Sequence, residues 1–363
     1  MTFDFGKKLK INVFGASHAP EIGVIIKGMP KGEKFDFDEL YSFMKRRAPG
    51  NDAFSTPRKE ADIPEFLSGV ENGQTTGDTI KAIIRNTNAR SKDYGNLEFV
   101  PRPGHADYTA YVKYDGKEDM RGGGKFSGRL TAPLCIAGGI AKQILAEKGI
   151  HIGAHIASVH GIEDDMFNPA EVSRTDFEKV WQKSFPVIND RKGMLMQEEI
   201  LKYREMKNSV GGVVECAITG VDAGIGEPMF YGAENQIASA MFAIPAVKGI
   251  EFGAGFGASL LTGKENNDEF YIQDGLVKTK TNNSGGILGG ITNGMPVVFR
   301  LAFKPTPSIA LPQNSVDMKE KKETVLEIKG RHDPCIVQRA VPVVEAVSAM
   351  VIYDMMLQQR EDN

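Results

Sequence analysis

Residues 127–148, SGRLTAPLCIAGGIAKQILAEK, run straight into 149–162, GIHIGAHIASVHGI. The first stretch reads as a buried helix. Leu134, Ala137, Ala141 and Leu145 recur at helical spacing, and the small residues between them permit close helix packing. Pro133 stands near its start, where proline is tolerated. The second stretch alternates as a strand. The chain is therefore expected to mix helix and sheet around a small-residue helical core.

Working outward, residues 9–14 (LKINVF) and 22–27 (IGVIIK) read as short β-branched strands flanking the loop 15–20, GASHAP. Residues 36–47 (DFDELYSFMKRR) read as a helix capped by Asp36, with Glu39 three residues on and Pro49-Gly50 as the stop. Further strands are expected at 80–85, 211–221 and 296–303, and the polar region 163–208 reads as helical with loops. A second small-residue helix is expected over 234–249, broken near Pro245, and a third with a wide apolar face over 338–360. The charged segment 313–329 reads as an exposed excursion. With no linker, low-complexity tract or tandem repeat, a single domain over 1–363 is expected.

Composition narrows the class. Hydrophobic residues make up 41% and charged residues 25%, ordinary for a globular chain. The apolar runs fall short of the ~20 residues that span a bilayer, and no secretory h-region opens the chain. A net charge of −3 argues against a nucleic-acid or membrane-surface scaffold. Three scattered cysteines supply neither a disulfide framework nor a zinc cluster. The expectation is a cytoplasmic enzyme with a small-molecule substrate.

Forty glycines in 363 residues exceed the usual ~7%, and they cluster at 121–124, 211–212, 249–257 and 284–290. Glycine lets backbone approach a ligand closely. His18, His105 and His332 all lie in Gly/Pro-punctuated loops, where catalytic residues concentrate, and histidine can donate a proton near neutrality. Arg46, Arg47, Arg58, Arg102, Arg121, Arg129, Arg331 and Arg339 fall in or near such segments, and guanidinium pairs bidentately with carboxylate and phosphate. Together they point to a small polyanionic ligand. His151 and His155 share a strand face, but no third ligand sits at a metal-site spacing. Residues 252–257 (FGAGFG) mimic a dinucleotide fingerprint without opening a βαβ unit, and no P-loop is present.

The motifs GASHAP, RPGHADY (102–108), RGGGKFSGRLTA (121–132), GGILGGITNG (285–294), FKPTPSI (303–309) and GRHDPCIVQRAVPVVEA (330–346) occur in the order seen in the chorismate synthase family. DAFSTPRKEAD (52–62), FLSGVENGQTTGD (66–78) and NARSKDY (88–94) fit as well, so the resemblance spans nearly the whole chain. It implies an α+β fold with helices sandwiched between antiparallel sheets, and a homotetramer. It also implies conversion of 5-enolpyruvylshikimate 3-phosphate to chorismate by 1,4-elimination with reduced FMN. Flavin electron donation would expel the phosphate before the ring proton is lost. By resemblance His18 would donate a proton near the leaving phosphate, His105 would stabilise anionic reduced FMN, and Asp333 would assist ring-proton removal through the flavin N5. Ser17, Arg47, Arg102, Ser127, Arg129 and Arg331 match substrate positions. Lys125, Phe126, Ser127, Ala246, Gly289, Lys304, Pro305, Thr306, Pro307, Ser308 and Arg331 match flavin positions. No metal is implied. With no nicotinamide motif, an external flavin reductase or reductant is expected.

The sequence departs from the family pattern around that trio. GASHAP stands for the usual GESHG, so Ala19 replaces a glycine. Lys125 replaces an arginine, Phe126 a serine, Leu130 a glutamate, Pro245 an asparagine and Ala53 a second arginine. Lysine lacks the guanidinium fork. The alternative expectation is a diverged or repurposed paralogue binding flavin or a shikimate-like anion; a third is a conventional oxidoreductase.

Overall fold

A computed structural model describes residues 3–48, 62–86, 99–328 and 333–362. The fold is α+β. One antiparallel five-stranded sheet has the order Phe3–Phe5, Lys10–Gly15, Glu21–Lys27, Ile80–Arg85, Glu65–Ser68. The other has the order Val247–Phe252, Val297–Phe303, Gly212–Thr219, His151–Val159, Ile162–Glu163, also antiparallel. The helices are α1 (Phe37–Arg47), α2 (Asp107–Tyr114), α3 (Thr131–Ala146), α4 (Arg174–Trp181), α5 (Asp190–Glu205), α6 (Ala233–Met241), α7 (Gly263–Asn266) and α8 (Val337–Asp362).

Helices α3 and α8 form the filling between the sheets. α3 rests on the strands Glu21–Lys27 and Ile80–Arg85, α8 on His151–Val159 and Gly212–Thr219, and the two pack on each other. Their crossing explains the small residues. A Cβ on Gly138 would stand 2.3 Å from the Ala346 carbonyl oxygen, and one on Gly139 would stand 2.5 Å from Leu40 of α1. The stretch Val337–Gln359 is long and apolar enough to cross a membrane, yet most of it is buried inside the protein, as a core helix.

α1 begins as expected, with the Asp36 side chain accepting from the Glu39 N–H at 2.8 Å. α3 begins at Thr131 rather than 127, because Ser127 first caps a separate tight turn over Gly128–Leu130. α6 stops at Met241, ahead of Pro245. The charged segment after 312 is a hairpin, Gln313–Asp317 with Lys322–Leu326. His155 of the 149–162 strand is fully buried, between Glu215 (2.9 Å) and Asp164 (3.3 Å). Burial pushes this imidazole's pKa down, but the bonds and charges of the two carboxylates outweigh it, and the net shift is upward.

Candidate active site

A cavity of about 830 Å³ opens where the end of α1, the loops around 102–106, 122–131, 242–246 and 304–308, and the first turn of α8 converge. Among the described residues, six cationic side chains line it: Arg47, Arg102, Lys125, Arg129, Lys304 and Arg339. Only two acids, Asp4 and Asp333, join them. The apolar part of the wall includes Phe126, Leu130, Phe242, Ile244 and Pro245.

The cations are held from behind. Asp62 is buried and accepts from Arg47 Nη1 at 2.5 Å and from Arg129 Nη1. Burial pushes the Asp62 pKa up, but the two guanidinium groups outweigh it and keep it below its usual value. Arg47 also donates to Thr131 Oγ1 and to the Gly128 carbonyl, so it is pinned on three sides. Arg102 clamps Asp107 through Nε and Nη2, both at 2.7 Å, and donates to Ser308 Oγ at 3.2 Å.

Asp107 Oδ1 lies 2.7 Å from His105 Nδ1. Arg102 Nη2 also approaches that nitrogen, at 3.1 Å. A bare Nδ1 would face the carboxylate lone pairs, so the proton belongs on Nδ1, donated to Asp107. The other ring nitrogen, Nε2, faces the glycine loop: a Cβ on Gly123 would lie 3.3 Å from it. On the preceding residue, a Cβ on Gly122 would lie 2.6 Å from the His18 ring and 2.9 Å from Ser17 Oγ. Gly122 and Gly123 both have positive φ, 61° and 90°. Only glycine allows this loop to run against both imidazoles.

Lys125 is paired with Glu118 at 2.9 Å. Lys304 donates to the Gly104 carbonyl at 2.8 Å, and burial together with nearby Lys248 pulls its pKa down. A bound anion would relieve that penalty. Ala246, whose carbonyl accepts from the Lys304 N–H, has φ 75°, a strained value for a residue with a Cβ.

Of the residues singled out in the sequence, the structure brings Arg47, Arg102, His105, Lys125, Phe126, Ser127, Arg129, Ala246, Lys304, Thr306, Pro307, Ser308 and Asp333 to the cavity wall. Ser17 and His18 stand behind Gly122 rather than in the wall. Pro305 is exposed and outside the lining. Gly289 is in the exposed turn joining Ile287–Leu288 to Ile291–Thr292, outside the cavity lining. Arg331, His332, Ala53, Arg58 and the motif NARSKDY lie outside the described residues. Asp62, Asp107 and Glu118 received no role from the sequence, nor did Arg339 beyond its place in the arginine cluster. Only Asp107 had a local signal, two residues after His105 on the same loop.

A cation-lined cavity with an apolar wall, an oriented imidazole and a carboxylate defines an enzyme acting on a small polyanion. The family described as chorismate synthase matches residues 9–357. A chorismate synthase of Lancefieldella parvula is 45% identical over 98% of this chain and 96% of its own length. One of Thermococcus kodakarensis is 46% identical over 98% of both chains. A solved structure titled "Crystal Structure of Chorismate Synthase" superposes with a TM-score of 0.78 at 28% identity, covering 98% of this chain and 93% of that one. The chain belongs to the chorismate synthase family, a carbon–oxygen lyase whose substrate is a small phosphate-bearing molecule.

Proposed function

We propose that this chain converts 5-enolpyruvylshikimate 3-phosphate to chorismate and inorganic phosphate with reduced FMN held in the same cavity. The observation that carries the reading is the wall itself, six cations against two acids among the described residues, in a volume near the top of the ~300–1,000 Å³ range of small-molecule sites. That volume suits a planar ring system beside a compact anion. The apolar residues Phe126, Phe242 and Pro245 suit the ring system, and Lys125, Lys304 and the Thr306–Ser308 segment suit its phosphate chain.

In this elimination a ring C–H bond and the allylic C–O bond break. The C–H electron pair ends in a new C=C bond, and phosphate leaves with the C–O pair, so nothing is oxidised overall. Reduced FMN, when bound, supplies the electron density that eases departure of phosphate from a ring whose proton is not acidic enough for base alone. The protein supplies position and charge. Arg47, Arg102, Ser127 and Arg129 stand in the wall to grip the substrate anions, and by family resemblance Ser17, behind Gly122, and Arg331 join them. His18, whose ring lies behind Gly122, is by family resemblance the proton donor to the leaving phosphate. His105, with Nδ1–H held by Asp107, presents Nε2 beside the glycine loop, and Asp333 assists removal of the ring proton.

The catalytic unit is a cytoplasmic homotetramer supplied with reduced flavin by a separate reductase. The exposed side chains of Met229, Phe230, Phe256, Leu260, Phe270, Ile272 and Leu276 support burial against further copies, because such apolar exposure is unusual on a monomer.

The test is replacement of His18 and His105 by alanine, one at a time. Each lowers turnover by ~10²–10⁴-fold, the usual contribution of an acid–base group, with circular dichroism unchanged. A loss under ~3-fold in both removes them from the mechanism.

A further inference from the structure

We propose that Arg339 is the positioning residue for the Asp333 carboxylate; the proposal rests on the reading that Asp333 assists removal of the ring proton. Asp333 stands ahead of α8, in a segment without regular structure, so its own backbone does little to aim it. Arg339 is two residues inside the helix, and its Nη1 donates to Asp333 Oδ2 at 2.7 Å. Its Nε donates to the Arg47 carbonyl oxygen, at the end of α1, at 3.1 Å. The guanidinium plane is thus fixed at two points before it meets the carboxylate.

Both partners are mostly shielded, with side chains 17% and 15% exposed, and both line the cavity. A carboxylate so placed is costly without a donor, and a planar fork fixes direction as well as charge. The same fork ties Asp333 to the backbone of Arg47, a residue proposed to grip the substrate. Arg339 therefore anchors the Asp333 carboxylate to the end of α1.

Lysine in its place keeps the charge but cannot make both bonds in the same plane. Misplacing a reacting group by about 1 Å costs on the order of 10²-fold in rate. In Arg339→Lys, kcat is expected to fall ~10–100-fold while KM and FMN affinity, read by flavin fluorescence, stay near the parent values. Arg339→Gln, which retains a donor for the Arg47 carbonyl, is expected to show the same split and serves if the lysine variant does not fold. In the Asp333→Asn background, either substitution is expected to lower kcat no further, because two residues acting as one step are not additive. A raised KM with kcat kept would make Arg339 a ligand-binding residue and overturn the proposal. Multiplicative losses in the double variant would also overturn it. Full turnover in Asp333→Asn alone would instead overturn the reading of Asp333, and the proposal with it.

Discussion

The last two residues of α1 serve two buried ionic centres of the same formal composition and different use. Arg46 turns inward and meets Glu345 of α8 with two bonds of 2.8 Å. Glu345 also accepts from Lys142, Trp181 Nε1 and the Ala154 N–H, and is fully buried. Arg47 turns to the cavity and shares Asp62 with Arg129. Each centre sets two cations over one carboxylate. Around Glu345 the carboxylate is packed in the core, and burial pulls the pKa of Lys142 down against the pull of Glu345. Around Asp62 both guanidinium groups border open volume, so their excess charge is available to a ligand. Surroundings, more than charge count, separate a structural node from a binding site.

The largest effect is expected from Glu345→Gln. Breaking a buried ion pair on one side costs ~3–5 kcal/mol, because Arg46 and Lys142 lose their counter-charge. Denaturant unfolding should show that loss, while FMN affinity of the folded protein holds. Arg129→Met should reverse the pattern. Stability changes little, because Arg47 still neutralises Asp62, but affinity for substrate in titration falls by ~1.5–3 kcal/mol, the value of a bond to a charged group. Equal losses of stability in the two variants would break the comparison.

The pH dependence of stability separates the buried pairs from one another. Burial raises the Glu345 pKa, but Arg46 and Lys142 outweigh it and bring it to about 2 from 4.5. Its contribution is present above 4.5 and is lost as pH falls from there towards 2. The raised His155 works the other way: its contribution is complete below 6.5 and is lost as pH rises through the folded value. Melting temperature against pH should fall less steeply on the acid side in Glu345→Gln and less steeply on the alkaline side in His155→Gln. The smallest effect is that of salt. Added salt should weaken substrate affinity at the open centre and leave the melting temperature set by the sealed one nearly unchanged.

What the sequence disclosed follows the range of the forces involved. The strand Ile80–Arg85 and the Asp36 cap were legible because apolar patterning and capping act within a few residues. The hairpin of Phe270–Gln273 with Leu276–Thr279 was not, because its side chains are mostly exposed and show no alternation. In the site, His105 and Arg102 stood out through their Gly/Pro-punctuated loop. Asp62 did not, because its partners lie 15 and 67 residues away and nothing local marks the pairing. Arg339 sat in a run that reads as an apolar helix, and only the fold brings it against Asp333 and the end of α1. Gly289, a flavin position by resemblance, sits in an exposed turn outside the cavity lining.

The most direct test of the account is anaerobic incubation of the purified protein with 5-enolpyruvylshikimate 3-phosphate and chemically reduced FMN, following chorismate absorbance and phosphate release together. Chorismate and phosphate are expected in equal amounts, with many turnovers per protein, and none with oxidised FMN. FMN that binds while no chorismate forms would contradict it, and would mark a cavity remodelled for another anion.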